Sequence, residues 1–364
     1  MAELFEIRPF EKCIEKVKYT TKVASQDFKQ SGRFPIISQE EAFISGYWDS
    51  PEDVFHISKP VVIFGDHSRH IKYIDFDFVI GADGVKILSP VDDINAKYFY
   101  YYLRWLDVPS LGYSRHFKSL KEKTVKVFPI DKQQRIVSEL DLLTDIIDKK
   151  NAQLRDLDTL ALSIFYEMFG DPSINEKGWP VVALETIAES RIGLTYKPEN
   201  VSEEGTIVLR SSNIQESEID LKDIVRVNCP IKENQYVQEG DILMCSRNGS
   251  FKLVGKVAKI GTLPERMSYG AFMTTIRSKY NPYLFEFFKL PAFRTQLGLA
   301  KTATINQITV KMLANTKVAL PPLDLQRAFE KRVASIYAQK ASIKQSMIDC
   351  QNLLDSRMLM YFND

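Results

Sequence analysis

The chain has 364 residues, 45% of them apolar and 26% charged, which suits a globular protein of two or three domains, each with its own core. Its formal net charge of +1 sets it apart from strongly basic proteins that coat nucleic acid, so any grip on DNA must be local or shared with a partner. No apolar run approaches the ~18 residues of a membrane span, and the Met1-Ala-Glu-Leu-Phe-Glu start lacks a basic-then-apolar leader; these features predict a cytoplasmic protein with no membrane role.

From Met1 to about Tyr113 the pattern is β-rich. Phe34-Pro-Ile-Ile and Val61-Val-Ile-Phe are short apolar runs bounded by turn residues, as strands are. A helix is predicted from Asn95 to about Trp105, where Tyr98, Phe99, Tyr102 and Leu103 cluster. A similar order returns between Gly178 and Asn306. Strands are expected at Ile207-Val-Leu-Arg, Asp241-Ile-Leu-Met and Lys256-Val-Ala-Lys-Ile, and a short helix opens at Asn281-Pro-Tyr. Gly81-Ala82 and Gly270-Ala271 fall at corresponding places in the two modules.

The segments 116–171 and 309–364 repeat at a constant offset. Leu120, Val125, Pro129, Asp131, Gln133 and Phe169 match Leu313, Val318, Pro322, Asp324, Gln326 and Phe362. Each copy reads as a short β-like run, a proline-containing turn, Asp-x-Gln, and a long helix. Steps of four and three from Ile136 give Leu140, Leu143, Ile147, Lys150, Leu154, Leu157, Ala161, Ile164 and Met168. The second copy gives Phe329, Val333, Ile336, Lys340, Ile343, Met347, Cys350, Leu354, Arg357 and Tyr361. Spacing near 3.5 residues over about four heptads predicts a coiled coil, each helix on the order of 50 Å long. A pseudo-twofold relation between the halves makes the helices antiparallel. Lys150, Lys340 and Arg357 interrupt the stripe and either snorkel outward or face a partner subunit. The expected class is α+β, with boundaries at 1–115, 116–175 (helix about 132–169), 176–308 and 309–364 (helix about 325–362).

Nothing in the residues makes a convincing catalytic centre. The histidines (His56, His67, His70, His116) and cysteines (Cys13, Cys229, Cys245, Cys350) lack metal-ligand spacing, so no metal and no cofactor is expected in this chain. Asn281-Pro-Tyr faintly resembles an adenine-methyltransferase motif but has no glycine-rich companion; a proline in the first helical turn explains it better. Gly249-Ser-Phe-Lys-Leu-Val-Gly-Lys has the wrong spacing for a phosphate loop, and Asp92-Asp93 reads as solvated turn residues.

DNA contact has better candidates. In the first module they are His67, Arg69, His70 and Lys72 on one turn, then Arg115, His116 and Lys118 in a second basic run. In the second module they are Arg210, Ser212 and Asn213 at a strand end, and Arg247, Asn248 and Lys252 in a turn equivalent to the first. Lys301, Thr304, Asn306 and Gln307 lead into the second repeat. Arginine can grip guanine O6 and N7, asparagine or glutamine can grip adenine N6 and N7, and lysine, serine and threonine can hold phosphates.

The order of parts resembles the specificity subunit of Type I restriction–modification enzymes. The resemblance rests on Pro129-Ile-Asp-Lys-Gln-Gln and Pro321-Pro-Leu-Asp-Leu-Gln, each opening a long helix, on Ile305-Asn-Gln-Ile-Thr before the second, and on Trp179-Pro-Val-Val-Ala-Leu opening the second module. The first module opens differently, with Phe10-Glu-Lys-Cys-Ile. The resemblance implies two target-recognition domains that read the halves of a split, asymmetric site in double-stranded DNA. The helices would set the gap and dock two modification subunits, which use S-adenosylmethionine to methylate adenine, and restriction subunits would join them. The chain itself would be non-catalytic. A protein-interaction scaffold without a DNA role, or a fused enzyme, remains an alternative at the level of the residues.

Overall fold

The computed structural model describes residues 5–106, 108–109, 112, 114–298 and 307–363. The chain is α+β and divides into two units, 1–153 with 342–364, and 154–341. Each unit contains one β-rich module, one half of the first long helix (Ile130–Phe169) and one half of the second (Leu323–Phe362). Both helices begin two residues before the positions predicted from apolar spacing, because each opens directly after its proline-containing turn.

In the first unit, a four-stranded antiparallel sheet has the spatial order Ile14–Glu15, Val85–Pro90, Val61–Gly65, Ile71–Ile74. A five-stranded sheet sits around Phe78–Gly81, which pairs in parallel with Lys22–Val23 and Phe34–Ile37 and antiparallel with Val54–Phe55. The helix Ala96–Trp105 starts at Asn95, whose side-chain oxygen accepts from the N–H groups of Lys97 (2.9 Å) and Tyr98 (3.0 Å), satisfying donors that a helix start leaves open. It buries Tyr98, Phe99 and Tyr102 against Ile136, Leu140 and Leu143 of the first long helix and Leu354, Met358 and Phe362 of the second.

The second unit repeats that sheet order, with Glu189–Ile192, Met273–Arg277, Ile242–Cys245 and Val257–Lys259. A second sheet includes Thr206–Leu209, parallel to Met267–Tyr269. The helix Asn281–Lys289 buries Tyr283, Phe287 and Phe288 with Ala161, Ile164, Phe165 and Phe169 of the first long helix, and with Phe329, Val333 and Ile336 of the second.

Pairing within each unit fixes the direction of the long helices. In the second unit Asp158 is bonded to Lys340 and Glu167 to Arg332 (2.8 Å), so one helix rises as the other falls. In the first unit Glu139 meets Arg357 (2.9 Å) and Tyr361, while Lys126, just ahead of the first helix, donates to the carbonyl of Asn363 (2.7 Å). The helices are antiparallel. Lys340 and Arg357, which interrupt the apolar stripe, thus answer carboxylates on the facing helix.

The heptad register predicted from spacing does not hold to the helix ends. Met358 and Phe362 are buried where Arg357 and Tyr361 were expected, and Phe165 and Phe169 join the core where Met168 was expected. A straight helix has 3.6 residues per turn, so a 3.5-residue stripe drifts around it. Close to each module the core demands an i, i+4 pair instead.

The glutamine of each Asp-x-Gln motif is a buried brace, while its aspartate is exposed. The Gln133 amide donates to the carbonyls of Phe128 (2.7 Å) and Asp93 (2.9 Å) and accepts from the N–H of Asn95 (2.8 Å), joining turn, helix start and long helix. Gln326 makes the matching bond to Pro321 (2.8 Å). Asp92 and Asp93 are exposed turn residues, as expected, and each also meets a cation: Asp92 pairs with Lys59 (2.9 Å) and Asp93 with Arg8 (2.8 Å).

Candidate nucleic-acid interface

Each module turns a polar surface outward where its central sheet strand ends. In the second module this strand is Ile242–Cys245, followed by Ser246-Arg247-Asn248. The N–H groups of Ser246 (2.9 Å) and Arg247 (3.0 Å) both donate to the carbonyl of Phe272, and the Ser246 hydroxyl donates to Thr274 (2.7 Å). The Ser246 carbonyl accepts from the N–H of Ile308 (2.7 Å), while Arg247 and Gln307 form an isolated antiparallel bridge. Asn248 Nδ2 donates to the Ser211 hydroxyl over 3.0 Å and its Oδ1 accepts from the Ser250 N–H, so the turn is closed on itself and tied to the 210–213 loop.

That loop has an internal frame. Asn213 is fully buried; its Oδ1 accepts from the Arg210 N–H (2.8 Å) and its Nδ2 donates to the carbonyls of Asp220 (2.9 Å) and Asp223 (2.8 Å). The Arg210 guanidinium is paired with Asp223 at 2.8 Å. Ser212 is exposed and Lys252 extends from the neighbouring turn into solvent. Arg247, Asn248, Ser211, Ser212 and Gln307 thus share one rim. Lys301, Thr304 and Asn306 lie outside the described residues.

The first module builds its rim by the same device. Its strand Val61–Gly65 is followed by Asp66-His67-Ser68-Arg69-His70, a tight hairpin in which Arg69 adopts a left-handed φ of 64°. Such a backbone is strained for a residue other than glycine. It is held by the Arg69 N–H to the Gly65 carbonyl (2.8 Å) and by the Arg69 guanidinium to the Val108 carbonyl (2.8 Å). The His116 N–H donates to the Asp66 carbonyl (2.8 Å), as Ile308 does to Ser246, and the Asp66 carboxylate accepts from the Phe117 N–H (2.9 Å). A ring nitrogen of His67 lies 3.3 Å from the Ser114 carbonyl. The two basic runs, some 45 residues apart in the chain, are therefore one surface, with Arg69, His70, Arg115 and Lys118 exposed.

Two residues of that set face inward. Lys72 is 6% exposed, and its ammonium is enclosed by the carbonyls of Ser38 (3.0 Å), Ala42 (2.5 Å) and Phe43 (3.5 Å). Burial pushes its pKa down, and its position closes the 38–43 loop. His116 is 1% exposed, with its ring against Asp66. Strand alternation explains Lys72: it lies one residue inside Ile71–Ile74 and points opposite to Ile71. Asn213 belongs with them as a brace.

Sequence reasoning missed Ser211, which receives Asn248, and Gln39, whose side chain accepts from the His67 N–H (3.1 Å). It also missed Phe272, a large apolar residue at a loop tip directly after Gly270-Ala271; the break in apolar alternation there was an available signal. Among the described residues no His, Cys, Asp and Glu cluster is arranged to hold a metal ion, and no helix is long and apolar enough to cross a membrane.

Residues 176–347 match the family described as Type I restriction modification DNA specificity domain. The chain is 28% identical over 177 residues to the Type I restriction enzyme EcoKI specificity subunit of Escherichia coli K12, covering 46% of this chain and 38% of that protein. It is 28% identical over 187 residues to the StySPI specificity subunit of Salmonella potsdam, covering 49% and 40%. These matches thus span about two fifths of each relative's length. In structure it is similar to the Type I restriction-modification S subunit of M. genitalium, with a TM-score of 0.59 at 15% identity over 100% of this chain and 97% of that one. Residues 176–347 thus match the Type I restriction modification DNA specificity domain model, and the chain as a whole shares the fold of the M. genitalium S subunit.

Proposed function

We propose that this chain is the non-catalytic DNA-recognition subunit of a Type I restriction–modification complex, reading a bipartite, asymmetric site in double-stranded DNA. The observation that carries the reading is the paired construction of the two rims. In each module the strand leading from the core ends in a turn rich in Arg, Asn or His, and that turn is clamped to the lead-in of the repeated helix by one backbone hydrogen bond, Ile308 to Ser246 and His116 to Asp66. Side chains fixed on a rigid frame suit base reading, and their different chemistry suits two different half-sites.

The residues proposed to meet DNA are His67, Arg69, His70, Arg115 and Lys118 in the first module, and Arg210, Ser212, Arg247, Asn248, Lys252 and Gln307 in the second. Lys301, Thr304 and Asn306 extend the second set by sequence position. Lys72, His116 and Asn213 support these loops from within. The near-neutral net charge fits a division of labour: two modification subunits, docked on the long helices and carrying S-adenosylmethionine, close around the duplex and supply much of the phosphate contact. Restriction subunits complete the assembly in the cytoplasm. The family match favours this reading over a scaffold without DNA.

Single-molecule sequencing of DNA from cells carrying the modification subunit, with and without this chain, tests it. The expected result is a split adenine-methylated motif that depends on the chain. Absence of any new motif with both proteins present would count against DNA recognition.

A further inference from the structure

Phe272 is 57% exposed at the tip of the 270–272 loop, where a large apolar side chain does nothing for the core. The backbone beneath it is nevertheless fixed: its carbonyl accepts from both Ser246 and Arg247, and the Met273 N–H donates to Gly270 (2.8 Å). The Arg247 guanidinium lies 5.3 Å from the ring centroid, so cation and ring form one stacked unit. Asn248, tied to Ser211, and Gln307, bridged to Arg247, flank it. The first module keeps the supporting hydrogen bond, from the Asp66 N–H to the Gly84 carbonyl (2.7 Å), but has Asp83 and Gly84 at the tip. The aromatic ring is peculiar to the second module.

We infer that Arg247 and Phe272 form a base-reading pair, with Arg247 bonding guanine O6 and N7 and Phe272 packing on the C5 methyl of an adjacent thymine in the major groove. This rests on the DNA-recognition reading above. A guanidinium held by a ring has lost much of its freedom before binding, and an arginine fork matches the two acceptors of guanine. A ring 5.3 Å from that guanidinium is close enough to reach the neighbouring base, about 3.4 Å along the strand. Thymine is the base that offers an apolar group there.

The test uses the full chain assembled with modification subunits and short duplexes. Selection from a randomised duplex library defines the half-sites, and the half whose selection Arg247→Ala abolishes belongs to the second module. Each thymine in that half is then replaced by uracil, which removes the methyl alone. The expected result is a thymine beside a guanine whose replacement weakens wild-type binding about fourfold and leaves Phe272→Ala binding unchanged, with the variant melting as the wild type does. A wild type indifferent to uracil, a penalty that survives in Phe272→Ala, or a half-site lacking thymine beside guanine overturns the pair and leaves the recognition role standing. A library that yields no preferred sequence overturns both.

Discussion

Asn248 and Ser211, 37 residues apart in the chain, are joined side chain to side chain at 3.0 Å. The bond locks the Arg247-bearing turn to the 210–213 loop, so the polar rim of the second module has one shape. Asn248→Ala removes a partly buried hydrogen bond and should lower stability by about 0.5–1.5 kcal/mol. Recognition should suffer more. Binding of the assembled complex to its cognate duplex is expected to fall roughly tenfold or more, with the loss confined to one half-site. Thermal unfolding and competition binding with duplexes altered in either half measure the two effects; equal losses at both halves would contradict a module-specific role.

Aromatic packing welds each module to the helices. Phe165 lies 4.9 Å from Phe169, 5.5 Å from Tyr283 and 5.8 Å from Phe329; Phe362 lies 5.2 Å from Tyr102 and 5.6 Å from Tyr98. Truncating either ring leaves a cavity in a dense cluster, at a cost of about 3–5 kcal/mol. Hydrogen exchange should show the loss of Phe165→Ala in the 154–341 unit, and that of Phe362→Ala in the other.

Lys340 sits in the apolar stripe of its helix, 13% exposed at the side chain and paired with Asp158. Asp158 is 60% exposed at its side chain, so removing it leaves the sheltered Lys340 charge without an answer, whereas apolar replacement of the lysine often does no harm. Asp158→Ala should therefore destabilise the protein, and Lys340→Leu should leave the melting temperature unchanged or higher. A fall in melting temperature with Lys340→Leu would show that the pair itself stabilises the helices.

The Arg8 guanidinium binds Asp93 through two bonds (2.8 and 3.0 Å) and Glu6 through two more, tying the first strand to the turn before the Ala96–Trp105 helix. Hydrogen bonding to Arg8 holds both carboxyls below their ordinary range. A depressed carboxyl pKa stabilises the fold above the unfolded value and loses that contribution as pH falls through the folded one. The Arg8–Asp93 pair, largely solvent-screened on the Asp93 side, should be worth about 0.2–1 kcal/mol at neutral pH. Denaturant curves of wild type and Arg8→Met should differ at pH 7 and converge in acid; a constant gap would assign the loss to packing.

Much of the scaffold was legible because its signals are local. The repeat put matching residues at a constant offset, apolar spacing marked two long helices, and Asn95 and Pro282 marked helix starts. The rims were legible in part. Arg247 and Asn248 were visible as polar turn residues, but nothing in their vicinity announced Ser211 or Phe272, because the hydrogen bonds that gather them cross strands. Lys72 read as one more cation on a basic turn; strand alternation sends it inward, where three carbonyls receive it.

The sequence by itself determined the internal repeat, the β-rich character of the modules, the long helices and the Type I specificity resemblance, since periodicity and duplication are written along the chain. Tertiary structure alone decided which polar residues face outward, that His67 and Ser114 lie on one surface, and that the apolar stripe shifts to Met358 and Phe362 near the helix end. Those outcomes depend on which strand lies beside which and how a helix with 3.6 residues per turn meets a module's core, and neither is a property of any short stretch of chain.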